Sequence, residues 1–128
     1  MCRGARGEFF KVSYRNRELQ EHFQRLVGIG CLASGLPPQI HHCKGGSMLE
    51  LIGVHGAAMK VSDWLTIPLA EEYHTGRFGI ERGVRTWEAK FGTQVYYLLL
   101  VVDRLGVDVF ARAGVAMPLE AIRREYGK

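Results

Sequence analysis

The chain has 128 residues, of which 47% are hydrophobic and 23% are charged, and it carries a formal net charge of +4. Such values are typical of a globular chain and predict a single core that needs no disulfide support, while the longest apolar run, Val95 to Val102, is too short to cross a bilayer. The cysteines number three, an odd count, and form no CxxC pair, which argues against a disulfide framework; three cysteines also exclude a four-cysteine zinc site within one chain.

The N-terminal segment 1–15 predicts a basic flexible arm, followed by a single domain over residues 16–128. Five cations lie in the first seventeen residues against one acid, Glu8: Arg3, Arg6, Lys11, Arg15 and Arg17. This charge favours a polyanionic partner such as DNA, and a solvated terminus without a ligand is the alternative. No apolar segment typical of a secretory signal follows, so we expect a cytoplasmic location.

The first half of the chain predicts two strands and one helix. A helix is expected from about Arg17 to Val27, because its apolar positions recur at helical spacing, with His22 on the polar side. A short strand is expected at Gln39–Cys43, and a second at Trp64–Ile67, where β-branched and aromatic residues favour it. Residues 48–59 between the strands are interpreted as a loop in which His55 has no predicted ligand role.

The second half predicts helices separated by glycines and a proline. A short helix is expected at about Leu69–Tyr73, and a longer one at Val84–Phe91. Thr93 is expected to cap a helix that runs to about Leu105 and ends at a glycine. A turn is expected at 108–112, and the last helix at Leu119–Tyr126, which follows a proline.

Aromatic residues cluster near the apolar run of the Thr93 helix. Trp87, Tyr96 and Tyr97 have faces that could stack on nucleic-acid bases. Packing in the core is the better expectation beside so apolar a segment. A homodimer interface is a second use for this run.

Two adjacent histidines, His41 and His42, end the first predicted strand. Neighbouring residues of a strand point to opposite faces. At a strand end followed by glycines, both can still reach one pocket, where one binds a metal and the other acts as a base near neutral pH. Two exposed surface histidines are the alternative.

Three further residues are candidates for the same chemistry. His74 ends the short predicted helix, where a histidine is either a metal ligand or a helix-end residue. Asp63 precedes the second strand. It is a candidate metal ligand, an acceptor that orients a histidine, or a turn residue. Glu81 lies in a predicted loop, where it is either a metal ligand or a solvated acid.

The order of these features resembles the HNH, or ββα-metal (His-Me finger), endonuclease motif. A strand ending in His41-His42 is followed by a loop, a strand ending in Ile67-Pro68-Leu69, and a helix carrying His74. The chain also resembles the recombination-enhancement (Ref-type) nucleases of phages and prophages over roughly residues 20–105. The resembling segments are 25–31, 41–42, 56–68, 74–76, 79–80 and 87–94. This resemblance implies an α+β fold with a small ββα-metal core flanked by N- and C-terminal helices.

The resemblance implies a role for each candidate. His41 would be a metal ligand, His42 the general base that activates water, and His74 a second ligand. Glu81 stands where relatives often have a histidine, and its oxygen would favour Mg²⁺ or Mn²⁺, with Zn²⁺ an alternative. Asp63 would take the scaffolding role of the missing asparagine of the motif.

Four departures from the family pattern accompany this resemblance. Ala70 and Tyr73 stand where the motif has a cysteine and a histidine, and Glu81 replaces a histidine. Ser34 stands where relatives have a cysteine paired with the one at Cys31. Glu81, Ala70 and Tyr73 favour an alternative function, a catalytically weak or inactive DNA-binding or structural module that retains the metal-site scaffold.

The function implied is a metal-dependent DNA endonuclease of phage or prophage origin, linked to recombination and acting in the cytoplasm of a bacterial host. The resemblance implies DNA as the partner, together with a host recombinase filament of the RecA type. One divalent ion would stabilise charge on the phosphate and on the leaving oxygen. Five cations near the core in sequence are candidates to hold phosphates, with ordinary surface charges as the alternative: Lys44, Lys60, Arg77, Arg82 and Arg85.

Overall fold

Two short strands and seven α-helices make up the residues that the computed structural model describes, 17–52 and 62–127. The strands are β1 (Gln39–His42) and β2 (Thr66–Leu69). A 3₁₀ turn spans Ile80–Arg82. The helices are α1 (Arg17–Ile29), α2 (Ser47–Ile52), α3 (Glu71–His74), α4 (Val84–Phe91), α5 (Gln94–Leu105), α6 (Val109–Arg112) and α7 (Leu119–Tyr126). The predicted α+β class is confirmed.

The predicted basic arm, His55 and Lys60 lie outside the described residues. Within the two described ranges, no helix has both the length and the apolar character needed to cross a bilayer.

The two strands pair antiparallel, with His41 opposite Ile67 and His42 opposite Thr66. The second strand was predicted two residues too early. Trp64 and Leu65 form a turn instead, in which the Ser62 hydroxyl and carbonyl accept from their backbone N–H groups at 3.1 Å each. That turn uses the N–H groups that a strand would need.

Pro68 lies inside β2, opposite Ile40, and does not end the strand as predicted. Proline is tolerated in a strand where its missing N–H is not required. Its carbonyl accepts from the Leu32 N–H at 3.1 Å, which attaches the segment after α1 to β2.

The segment after the glycine pair is helical where a loop was predicted. α2 covers Ser47–Ile52, and Met48 and Leu51 are buried against the core. Because these two residues are three apart, they share one face of the helix. The rest of the predicted loop, 53–59, lies outside the described residues. α3 begins two residues later than predicted, at Glu71.

The C-terminal helices have the predicted bounds because their end signals are local. The Thr93 hydroxyl accepts from the Tyr96 N–H at 3.0 Å and caps α5. Gly106 ends α5 with φ 70°, a left-handed conformation that favours glycine. α5 packs against β2, and Trp87 and Tyr97 are buried as expected.

His22 was predicted on the polar side of α1, and this is wrong. Its side chain is only 3% exposed, on the same face as Leu19 and Leu26. The three positions are three and four residues apart, so they lie together on the helix. The His22 ring lies 4.8 Å from the Trp64 ring, centroid to centroid. Burial, helped by Arg25 and Arg112, lowers the pKa of His22.

Replacing His22 with phenylalanine is expected to stabilise the protein by about 1 kcal/mol at neutral pH. Neither ring nitrogen of His22 has a hydrogen-bond partner among the described residues, and a buried polar atom without a partner is costly. Phenylalanine keeps the ring against Trp64. The gain should increase at pH 5, because the unfolded wild type takes up a proton below about pH 6.5 that the buried ring resists.

Urea unfolding of both proteins at pH 7 and pH 5 measures this effect. A variant less stable at pH 7, or one whose stability falls with acid as steeply as that of the wild type, would contradict the prediction.

Candidate metal centre

Three side chains from three elements converge at one point. His41 comes from β1, His74 from the end of α3, and Glu81 from the 3₁₀ turn. Glu81 Oε2 lies 3.3 Å from His41 Nδ1 and 3.4 Å from His74 Nε2. Each residue offers a ligand atom within 4.8 Å of those of the other two. Tetrahedral ligands at about 2.1 Å from one ion lie about 3.4 Å apart. The two distances from Glu81 Oε2 therefore match the spacing around one ion, and the two histidine nitrogens lie within 4.8 Å of each other.

Strand alternation and a tight return of the chain produce this convergence. His41 faces inward from β1 and is 1% exposed. After α3, the chain turns back so that Glu81, seven residues after His74, reaches the same place. Gly79 permits this turn, because a Cβ there would lie 2.8 Å from the His74 carbonyl oxygen. Arg82 Nε donates to the Gly76 carbonyl at 2.8 Å and braces the turn.

Gln94 fixes the orientation and the tautomer of the buried His41 ring. Gln94 Oε1 lies 3.0 Å from His41 Nε2 and also accepts from the Lys44 N–H at 3.1 Å. The Gln94 amide nitrogen donates to the Lys44 carbonyl at 2.9 Å. These backbone partners settle which end of the amide is oxygen. His41 Nε2 therefore carries the proton and donates it to Gln94.

His41 Nδ1 is left as a buried lone pair with no hydrogen-bond partner. It faces the Glu81 carboxylate oxygen, another acceptor, at 3.3 Å. Two acceptors at that distance repel each other unless a proton or a cation lies between them. Burial lowers the pKa of His41, although the Gln94 hydrogen bond and Glu81 act in the opposite direction. Since a proton is disfavoured, the buried lone pair fits a metal cation.

His74 is held in a similar way from the opposite side. Its Nδ1 lies 2.9 Å from Gln39 Oε1. Donation from Nδ1 to this oxygen leaves the Nε2 lone pair directed toward Glu81. The two imidazoles therefore present Nδ1 of His41 and Nε2 of His74 to the same carboxylate oxygen. These two nitrogens and one oxygen form a group that could hold a metal ion.

Glu88 and Ser47 support Gln94, and sequence reasoning missed all three. The Glu88 carboxylate accepts from the Ser47 N–H at 2.9 Å, the Ser47 hydroxyl at 2.7 Å and the Gln94 N–H at 2.8 Å. Gly46 makes room for it, because a Cβ there would lie 2.3 Å from Glu88 Oε1. Glu88 and Gln94 lie in the resembling segment 87–94, but neither of them was predicted to have a role, and no sequence signal pointed to Ser47.

Replacing Gln94 with alanine is expected to weaken metal binding by about 10- to 100-fold, the usual cost of losing a group that orients a metal-bound histidine. The His41 ring would lose the acceptor that fixes its tautomer. Isothermal titration with Mn²⁺ measures the change. Thr86→Ala, an exposed change on α4, is the control. Unchanged affinity in Gln94→Ala would contradict the positioning role.

His42 and Asp63 form a separate pair. His42 Nε2 lies 2.7 Å from Asp63 Oδ1, and both side chains are nearly half exposed. Of the three roles left open for Asp63, contact with a histidine is the one that the geometry displays. Among the described residues, the cluster able to hold a metal contains His41, His74 and Glu81 without Asp63. Nε2–H of His42 donates to the carboxylate, which leaves Nδ1 free to accept a proton.

The predicted phosphate-holding cations are dispersed. Arg77 and Arg82 line one cleft beside the 3₁₀ turn. Arg85 lies beside Gly46 and Glu50 in another. The Lys44 backbone N–H is held by Gln94, and Lys60 lies outside the described residues. The structure thus brings two of the five together, and binding of nucleic acid by any of them stays a prediction.

Two departures from the family pattern have packing roles. Ala70 is buried in the core. The Tyr73 ring packs edge-on against Phe91 with centroids 5.3 Å apart, and tilted against Phe78 at 5.7 Å. Neither residue belongs to the described cluster of candidate ligands.

Comparisons with known proteins found no protein-family model that matches the chain, no matching curated protein and no matching solved structure. What this chain does is accordingly inferred from the side chains described above.

Proposed function

We propose that this chain is a metal-dependent endonuclease of the HNH type, which hydrolyses phosphodiester bonds in DNA. The observation that carries the proposal is the buried His41 Nδ1 lone pair, which faces Glu81 Oε2 at 3.3 Å without a hydrogen-bond partner. His41, Glu81 and His74 would hold a small cation, whose charge would offset the repulsion of the two acceptors.

The order of elements supports the same proposal. β1, β2 and α3 follow one another along the chain, the strands pair antiparallel, and α3 packs against both. His41 and His42 end the first strand and His74 lies on the helix. We propose that these elements form the ββα-metal core of the resemblance, with α1 and α4–α7 as flanking helices.

The donor set favours a hard or borderline ion. Two imidazole nitrogens suit Mn²⁺ and Zn²⁺, whereas the Glu81 carboxylate suits Mg²⁺ and Mn²⁺. Mg²⁺ or Mn²⁺ is therefore proposed for activity. When bound, such an ion supplies charge stabilisation to the phosphate and to the leaving 3′ oxygen.

The proton transfer falls to His42. Asp63 accepts from Nε2–H at 2.7 Å, which orients the ring and stabilises the imidazolium that forms. His42 Nδ1 takes a proton from the attacking water, whose oxygen forms the new bond to phosphorus as the bond to the 3′ oxygen breaks. The exposure of His42 gives water and substrate access to Nδ1.

The test is cleavage of supercoiled and single-stranded circular DNA by the purified protein with Mg²⁺, with Mn²⁺ and with EDTA. The proposal expects nicking that needs metal and is lost in EDTA. If the protein cuts neither DNA and metal removal only lowers the melting temperature, the endonuclease proposal fails.

A second candidate function is a catalytically weak DNA-binding or structural module that keeps the metal. Ala70 and Tyr73 favour it, because they occupy motif positions with side chains that pack and do not ligate. This candidate expects metal to raise the melting temperature without cleavage.

The further expectations of phage or prophage origin, a RecA-type recombinase partner and a cytoplasmic site of action belong to the endonuclease proposal. Cleavage assays with and without a recombinase filament would test the partner.

A further inference from the structure

A cleft of about 290 Å³ opens beside the candidate metal centre, between the turn after α3 and helix α4. Four of its lining residues are used by the proposal below: Arg77, Phe78, Arg82 and Lys90. A cleft of this volume suits one nucleotide-sized ligand.

The cleft is positively charged. Three cations line it, Arg77, Arg82 and Lys90, and no acidic residue does. Within the described part of the chain, none of the three lies within 4.0 Å of a carboxylate oxygen. Arg82 is anchored through Nε to the Gly76 carbonyl at 2.8 Å, which leaves its other two nitrogens to meet an anion. An arginine fork of this kind matches the oxygens of a phosphate.

An aromatic ring lies among these cations. Phe78 is 36% exposed. The Arg77 guanidinium carbon lies 5.4 Å from its ring centroid and the Lys90 ammonium 5.8 Å. Tyr73 and Phe91 support the ring from within. An exposed aromatic ring flanked by cations is the pairing that single-stranded nucleic acids select.

The cleft and the candidate metal centre share one segment of chain. Glu81, the carboxylate ligand, is followed directly by Arg82 of the cleft, and both belong to the 3₁₀ turn. His74 and Glu81 do not line the cleft, so the two features are neighbours through the Glu81–Arg82 step of the chain. The same polyanion fits both features, whereas an acidic peptide would explain only the cations.

We infer that this cleft binds one unpaired nucleotide of a DNA strand, with its base against Phe78 and its phosphate at Arg77, Arg82 and Lys90. This inference rests on the proposed function, which names DNA as the polymer, and it adds that the bound DNA is unpaired. A duplex keeps its base faces stacked inside the helix, so only an unpaired base can reach Phe78. The cleft thus favours single-stranded DNA or an unpaired site within a duplex.

The test is fluorescence anisotropy of a labelled 12-nucleotide oligothymidine and of a duplex of the same length, in EDTA. Without metal the assay reports binding alone, so it is independent of any failure of cleavage. Phe78→Ala is expected to weaken single-strand binding about tenfold and to leave duplex binding unchanged. Phe78→Tyr, which keeps the aromatic face, is expected to restore binding.

Two cation variants complete the test. Lys90→Gln should lower the slope of log affinity against log salt by about 0.7, the value for one single-strand phosphate contact. Arg104→Gln, an exposed change on α5 outside the cleft, is the matched control. Equal losses for Phe78→Ala on both DNA forms, no salt effect of Lys90→Gln beyond that of Arg104→Gln, or competition by polyglutamate as strong as by unlabelled DNA would overturn the inference. Melting curves show whether each variant is folded.

Discussion

Replacing His42 with alanine is expected to lower the rate of DNA cleavage by about 10²–10⁴-fold, the range that a positioned general base contributes. Metal affinity should stay unchanged, because His42 contacts Asp63 and lies outside the cluster of His41, His74 and Glu81. The combination of a large kinetic loss with intact metal binding separates a base from a ligand. Single-turnover cleavage and Mn²⁺ titration of the same preparation measure both.

Replacing Asp63 with asparagine is expected to lower the rate of DNA cleavage by less than the loss of His42 does. The amide keeps the volume of the carboxylate, but it cannot stabilise an imidazolium as well. We expect a smaller rate loss than in His42→Ala, again with unchanged metal affinity. Added imidazole should partly restore His42→Ala, since it replaces the missing base. A His42→Ala protein that cuts DNA at the wild-type rate would remove His42 from the mechanism and leave the metal-centre proposal to be judged alone.

Replacing Glu81 with alanine is expected to lower Mn²⁺ and Mg²⁺ affinity by more than about 100-fold, since loss of a group that merely supports a ligand already costs 10- to 100-fold. Glu81 supplies the oxygen that lies within 3.4 Å of both histidine nitrogens and is the only anion of the cluster. Glu81→His should instead bind Zn²⁺ more tightly than the wild type, because a third imidazole suits that ion. Titration with each ion gives the comparison.

Glu72→Ala is the control for the Glu81 variants, because Glu72 is an exposed acid of α3 outside the cluster. It should bind metal as the wild type does. Wild-type metal affinity in Glu81→Ala would show that the three side chains converge for another reason. A parallel measurement of melting temperature with and without Mn²⁺ shows whether each variant keeps the coupling between metal and stability.

Much of the secondary structure could be predicted, because its determinants are local. Thr93 and Gly106 mark the ends of α5 through contacts within four residues of themselves. The prediction placed β2 two residues too early, because the bounds of this strand depend on pairing with β1, which is distant in sequence. The turn at Ser62 is local, but it was not predicted. The burial of His22 depends on Trp64, forty-two positions away in the sequence.

Part of the candidate site could be predicted from the sequence, and part of it could not. His41, His74 and Glu81 were expected together from the resemblance, and their side chains converge in the structure; their roles as ligands stay a prediction. The support behind them was not predictable, because Gln94 meets His41 across 53 positions of sequence. A glutamine at the start of an apolar helix has no pattern that would assign it to a histidine. Glu88 and Ser47 became visible only with their mutual hydrogen bonds.

The two glutamines that hold the imidazoles would have a consequence for product release in the proposed nuclease. Gln94 and Gln39 are neutral acceptors, so neither imidazole is pushed toward an anion as it would be by a carboxylate. If the proposed dication is bound, Glu81 would neutralise one of its charges and leave about one net positive charge at the centre. Three histidines would leave two. A cleaved strand would end in a phosphate with more negative charge, and the centre with the lower charge would hold that end less tightly.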